Sequence, residues 1–195
     1  MILHAFIRRV LSEAMKGAED LPDGHYVTID AMGGDIMVSI WQQDVIKPLG
    51  TLVMHRASLG GDGGIGDGTW VVTTSRANKG WGPLMYDVAM EWATMHGSGL
   101  TCDRETVSDA AYHIWDYYMN SRSDVKSYQL DTRKSLLTPS KSDDIGQMST
   151  STHLDKFEKE VNVDDLMGSP LARRYIKAPT QINSLKKLDK LRMGE

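Results

Sequence analysis

The sequence predicts an α/β fold, a mixed α+β sheet with flanking helices. Three observations carry that reading. Tyr26 to Ser58 holds three short runs rich in β-branched and apolar residues, the first two joined by Gly33-Gly34-Asp35. Thr69 to Ser75 reads as a strand and leads through a glycine-bearing turn into an amphipathic helix ending at Gly97. A further strand, helix and strand follow, reaching Asp131.

Leu3, Phe6, Ile7, Val10, Leu11 and Ala14 form a stripe at helical spacing, so residues 2 to 16 are expected to be an amphipathic helix. His4, Arg8 and Arg9 interrupt its apolar residues and no small-residue cleavage site follows, so a secretory leader is not expected. Gly17 to Gly24 is a loop. Tyr26 to Met32, Ile36 to Gln42 and Gly50 to Ser58 are strands and, with Thr69 to Ser75, should make an antiparallel meander. Gly60 to Gly68 holds Asp62 and Asp67 among glycines. A strand follows it rather than a helix, and the alternating acidic ligands and closing Glu of a calcium loop are missing, so a hairpin loop is expected.

Asn78-Lys79-Gly80-Trp81-Gly82-Pro83 breaks the strand period, and Pro83 suits a first helical position. Leu84, Val88, Trp92 and Met95 then fall on one stripe, flanked by Met85 and Ala89. Ser98 to Asp103 is a second short strand. Val107 to Asn120 is a second helix with Val107, Ala111, Ile114 and Tyr118 on one face, and Val125 to Leu130 alternates as a strand.

The last third changes character. Thr138-Pro139-Ser140 and the polar run to Thr152 read as a linker, and Leu154 to Val161 as a short acidic helix. Residues 171 to 195 hold four Lys and three Arg against one Asp and one Glu, a net of +5. Leu185, Leu188 and Leu191 recur at threes among Lys186, Lys187 and Lys190, which suggests a basic amphipathic helix. The expected organisation is an N-terminal helix (1–19), a central domain (20–132) and a C-terminal extended or helical arm (133–195).

Composition narrows the function classes. The chain has 195 residues, 41% hydrophobic and 25% charged, which suits a globular protein. A net charge of −4 gives no general pull towards nucleic acid or an anionic surface. No apolar run approaches the ~20 residues a membrane span needs. One cysteine, Cys102, allows no internal disulfide and makes a reducing, cytoplasmic setting the simple inference. The six histidines and the cysteine lack metal-ligand spacing, so no metal is expected.

The order strand, glycine turn, helix, strand, helix, strand resembles the GNAT superfamily of acetyl-CoA-dependent N-acetyltransferases, over about residues 25 to 131. Gly80 and Gly82 match the glycine pair of that family's turn. Ala77 stands where Gln or Arg is usual, with Arg76 one place early. The resemblance implies acetyl-CoA as cofactor. Its pyrophosphate would lie on Asn78, Lys79, Gly80, Trp81 and Gly82, with Arg76 or Lys79 adding charge. Its pantetheine would pair along Val71, Val72 and Thr73. A glycine turn at a helix N-terminus suits phosphate because its amides point outward and the helix dipole is positive there. An ordinary β-to-α turn that uses Gly and Pro for geometry remains the alternative.

Acetyl transfer also needs a base for the ammonium and an acid for the leaving thiolate. Aligning Ala111 with the family's helix pattern puts Ser108 at its Asn and Trp115 at its Tyr, and an indole donates no proton as an acid. Tyr112 and Tyr117 lie nearby as acid candidates, and His55, whose ordinary pKa suits a base near neutral pH, is the base candidate. Core or rim roles for these side chains stay open. The family's usual first strand has no counterpart before residue 20.

Two functions follow as expectations. One is an acyltransferase moving acetyl from acetyl-CoA to an amine. The other is a catalytically inactive GNAT-fold protein that binds other chains through residues 133–195 and the N-terminal helix. A long tail on such a core resembles proteins of tailed bacteriophages, which would place the chain in a virion or the host cytoplasm.

Overall fold

The computed structural model describes residues 16–56, 68–78, 80–102, 109–129 and 169–194. The expected N-terminal helix up to residue 15, residues 60–67 of the glycine-rich loop, the linker and the acidic helix lie outside them, as do Lys79, Val107 and Ser108. The architecture is α/β, with an eight-stranded mixed sheet and, among the described residues, three α-helices.

The strands are β1 (His25–Met32), β2 (Asp35–Gln42), β3 (Gly50–Arg56), β4 (Thr69–Ala77), β5 (Gly99–Cys102), β6 (Val125–Gln129), β7 (Arg173–Lys177) and β8 (Leu191–Met193). The helices are α1 (Gly82–His96), α2 (Asp109–Ser121) and α3 (Thr180–Lys187). Strand order across the sheet is β6-β7-β5-β4-β3-β2-β1-β8. The described residues fall into two compact units, one within 1–55, 73–92 and 178–195, the other within 56–72 and 93–177.

In the first unit β1 and β2 pair antiparallel from His25↔Gln42 to Met32↔Asp35. Asp35 is therefore already in the strand, and the hairpin loop is Gly33-Gly34 alone. Both glycines have positive φ, +60° and +106°, which a tight two-residue loop requires. β3 adds antiparallel to β2, with Ile40 opposite Gly50. The period of two puts Val27, Ile29, Val38, Ile40, Leu52 and Met54 on one face, all buried. Helix α1 lies on that face. A Cβ at Gly50 would sit 2.7 Å from Met85 Sδ, so glycine there lets the helix approach.

Every side chain of α1 from Leu84 to Ala93 is buried, including Asp87 and Glu91. Met95, placed on the apolar stripe by periodicity, is 45% exposed; burial follows the helix's middle rather than one stripe.

The C-terminal residues depart most from expectation. Residues 173 to 177 are β7, which sits inside the sheet, antiparallel to β6 over five pairs and to β5 at Leu100↔Tyr175. Leu185, Leu188 and Leu191 do not share a helix. Helix α3 ends at Lys187, Asp189 takes φ +56°, and Leu191 opens β8, which pairs parallel with β1. Ile182 and Leu185 are buried, while Leu188 is exposed. Described residues 169–194 are thus part of the fold and not an arm beyond residue 132.

The second unit is built around Tyr175. Its hydroxyl donates to Pro170 O at 2.6 Å and lies 3.3 Å from Trp115 O, and its ring stands 4.9 Å from that of Trp115. Leu100, Cys102, Tyr118, Val125 and Leu171 complete this core. Val107, Ala111, Ile114 and Tyr118 were the expected inner face of α2. Of these Tyr118 is buried, and Trp115 replaces the half-exposed Ile114.

One ion pair in this unit gives a pH prediction. Arg122 donates from Nε and Nη2 to the two carboxyl oxygens of Asp124, each at 2.7 Å, and Lys177 Nζ lies 3.6 Å away. The Arg122 hydrogen bonds hold the Asp124 carboxyl below its usual value of 3.8, against the opposing effect of burial. A folded pKa below the unfolded one gives stability that is present above the unfolded value and lost as pH falls through the folded one. Asp124→Asn should therefore show a shallower loss of stability on acidification than the native chain. Urea unfolding at pH values from 7 down to about 3 reads this directly, and parallel profiles would refute it.

Candidate functional site

The candidate site is the end of β4, the turn and the start of α1, all within the first unit. The β4–β5 ladder is parallel and runs from Thr69↔Gly99 to Val72↔Cys102. β4 continues past it to Ala77, and Thr73 to Ala77 are all exposed. Val71 and Val72 are therefore ladder residues with buried side chains, 6% and 5% exposed. They do not offer a free edge to a ligand. Of the three strand residues expected to receive pantetheine, Thr73 lies beyond the ladder among the described residues, at the start of the exposed stretch Thr73 to Ala77. Thr73 Oγ1 donates to Val53 O on the neighbouring strand.

The turn is tightly bonded. Asn78 N–H donates to Leu49 O at 2.8 Å, and Trp81 N–H to Asn78 O at 3.1 Å. Gly80 has φ +92°, a left-handed conformation that favours glycine. Met85 N–H donates to Trp81 O and begins the helical ladder. The amides of Asn78 and Trp81 are thus consumed internally and drop out of the expected anion site. Among the described residues no acceptor takes the amides of Gly80, Gly82 or Leu84. Among the described residues there is room there too, since a Cβ at Gly82 would meet only Ala77 Cβ, at 4.0 Å. Open amides at a helix start, with room in front of them, can bind an anion.

Cations flank the turn. Arg76 is exposed at the end of β4. Lys16, which sequence reasoning missed, holds its ammonium 4.4 Å above the ring of buried Trp81. Ser75 and Tyr86 were also missed. Exposed Ser75 Oγ lies 2.9 Å from the hydroxyl of Tyr86, which is 2% exposed on the first turns of α1. Neither pair has a sequence signal, because each joins parts of the chain that no local spacing relates.

No protein-family model, curated protein or solved structure matches this chain. The site is therefore read from its geometry.

His55 is half-buried on β3, opposite Asp35 of β2. Tyr112 and Tyr117 belong to the second unit, on α2, both half-buried. Tyr112 makes an edge contact with His113, and Tyr117 with Tyr118, each at 6.0 Å. Burial, helped by the Asp116 carboxylate, raises the Tyr112 hydroxyl above its ordinary value, so it stays protonated. Trp115 is 1% exposed between Tyr118 and Tyr175, a core residue. Among the described residues no cluster of His, Cys, Asp or Glu could hold a metal ion, and no helix is long and apolar enough to cross a membrane.

Proposed function

We propose that this chain is a GNAT-like acyltransferase that takes acetyl-CoA at the β4–turn–α1 junction and passes the acetyl group to an amine. One observation carries the reading. Among the described residues, β4 runs on past its ladder with β5 and ends in a glycine turn whose Gly80, Gly82 and Leu84 amides find no acceptor. An exposed strand would receive an extended, amide-bearing arm, and the helix start would receive its phosphates. Lys16 and Arg76 would add positive charge. In the reaction the amine nitrogen attacks the thioester carbonyl, the C–N bond forms and the C–S bond breaks. The amine's proton goes to a base, for which His55 is the candidate, and the thiolate takes up a proton on release.

A second reading rests on Trp115. At the helix position where the resemblance places a proton-donating tyrosine, this chain buries a tryptophan against Tyr175. A chain with this fold that binds partners without catalysis, as in a bacteriophage virion, would tolerate that replacement.

Calorimetric titration of the full chain with CoA and acetyl-CoA tests the first reading. Micromolar affinity supports it, and no binding at millimolar ligand from a folded sample refutes it. Gly82→Asp sharpens the test. The open space accommodates the side chain, and a carboxylate in the first turn is favourable to the helix dipole. Folding should be unchanged or slightly stabilised. Affinity for CoA should fall at least ~30-fold, because like charges would meet at about hydrogen-bonding distance. Unchanged affinity would remove the phosphates from this turn.

A further inference from the structure

We infer that Ser75, held by Tyr86, is the hydroxyl that selects the amide-bearing thiol arm of the ligand over its nucleotide. The inference rests on the CoA reading above and goes beyond it by assigning a residue that no sequence pattern marks. Ser75 lies in the middle of Thr73 to Ala77, the exposed stretch of β4 beyond the β5 ladder. Its oxygen lies 2.9 Å from the Tyr86 hydroxyl. Tyr86 is buried in α1, so its ring fixes where that hydroxyl can be. A serine hydroxyl has one donor and two acceptor sites. The Tyr86 contact uses one of them and restrains the rotamer, and Ser75 is exposed on the strand, so the others are open to a ligand. An exposed serine that is free to rotate would offer no preferred direction. One pinned by a buried phenol offers a fixed hydroxyl to a ligand amide running along the strand.

The alternative role is structural, in that Ser75 simply satisfies a buried tyrosine. The two roles separate on ligand choice. Calorimetry on the full chain would compare CoA with adenosine 3′,5′-bisphosphate, which keeps phosphates but lacks the arm. Ser75→Ala should weaken CoA about three- to tenfold, the worth of one hydrogen bond, and leave the bisphosphate within about twofold. Ser75→Thr should retain native affinity for both. Tyr86→Phe should weaken CoA while Ser75 is still present, because the hydroxyl loses its anchor. A purely structural role would shift melting temperature and weaken both ligands alike. Equal CoA affinity in native and folded Ser75→Ala protein overturns the assignment and leaves the CoA reading intact. Absence of CoA binding in the native chain overturns both.

Discussion

Glu91→Leu should lower the unfolding free energy by about 3–5 kcal/mol, because one buried side chain caps a helix from another. Helix α3 begins after Pro179, which offers no side-chain cap. Glu91 of α1, fully buried, fills that role. Its Oε1 accepts from Thr180 Oγ1 at 3.0 Å and Gln181 N–H at 2.9 Å, and its Oε2 accepts from Ile182 N–H at 2.7 Å. Leucine has similar bulk but no acceptor, so the Gln181 and Ile182 amides would lose theirs at the start of a short helix. Each stranded donor costs about 1–3 kcal/mol. Glu91→Gln keeps one oxygen and should cost about half as much. The consequence spreads along the chain, since α3 leads through the bond from Lys190 N–H to Leu185 O into β8, the partner of β1. Hydrogen exchange should quicken across residues 180 to 193 before it quickens in β2 and β3. A melting temperature within about 2 °C of native, against the ~10 °C fall expected at this chain length, would show that the cap is dispensable.

How far the fold was legible depended on whether the signal was local. The β1–β2 hairpin was readable because alternation and a Gly-Gly loop both act over a few residues. The strand, turn and helix from Thr69 to His96 were readable for the same reason, although all-round burial from Leu84 to Ala93 made a single stripe the wrong description of α1. β7 was not readable. Arg173 to Lys177 is five residues long and three of them are cationic, so burial of Tyr175 and Lys177 comes from the sheet around them and not from any apolar run. The leucines at 185, 188 and 191 misled because spacing at threes cannot reveal the reversal at Asp189, where the side chain tolerates a left-handed backbone.

The site divides the same way. Gly80 and Gly82 were visible as a pair, and only the structure separates their reasons. Gly80 is required by a positive φ, whereas Gly82 fronts open space. Val71 and Val72, expected to pair with pantetheine, are paired with Thr101 and Cys102 in the structure, and strand length alone does not say how far such pairing runs. Ser75–Tyr86, Lys16–Trp81 and Glu91–α3 are contacts between elements, and no spacing within one element announces them.

Gly99→Ala should destabilise the second unit by about 3–5 kcal/mol. Two independent costs meet at this residue. Its φ of +119° is a conformation that side chains rarely adopt. A Cβ there would also come 2.6 Å from Tyr175 O, 3.0 Å from Ile176 Cγ1 and 3.2 Å from Arg174 Cγ. The carbonyl is backbone, so relief requires β7 to move off β5, and the Leu100↔Tyr175 pairing would go with it. Tyr175 carries the bond to Pro170 and the ring contact with Trp115, so the core between α2 and the sheet should loosen in the same step. The near-ultraviolet dichroism of those rings should collapse before helical signal is lost. Gly82→Ala is the matched control, a methyl group with no positive φ and, among the described residues, no neighbour closer than 4.0 Å, and it should leave the melt unchanged. Native-like dichroism and melting in Gly99→Ala would mean that β7 can shift away from β5 at no cost, and that the close approach of the two strands is not what holds Tyr175 in place.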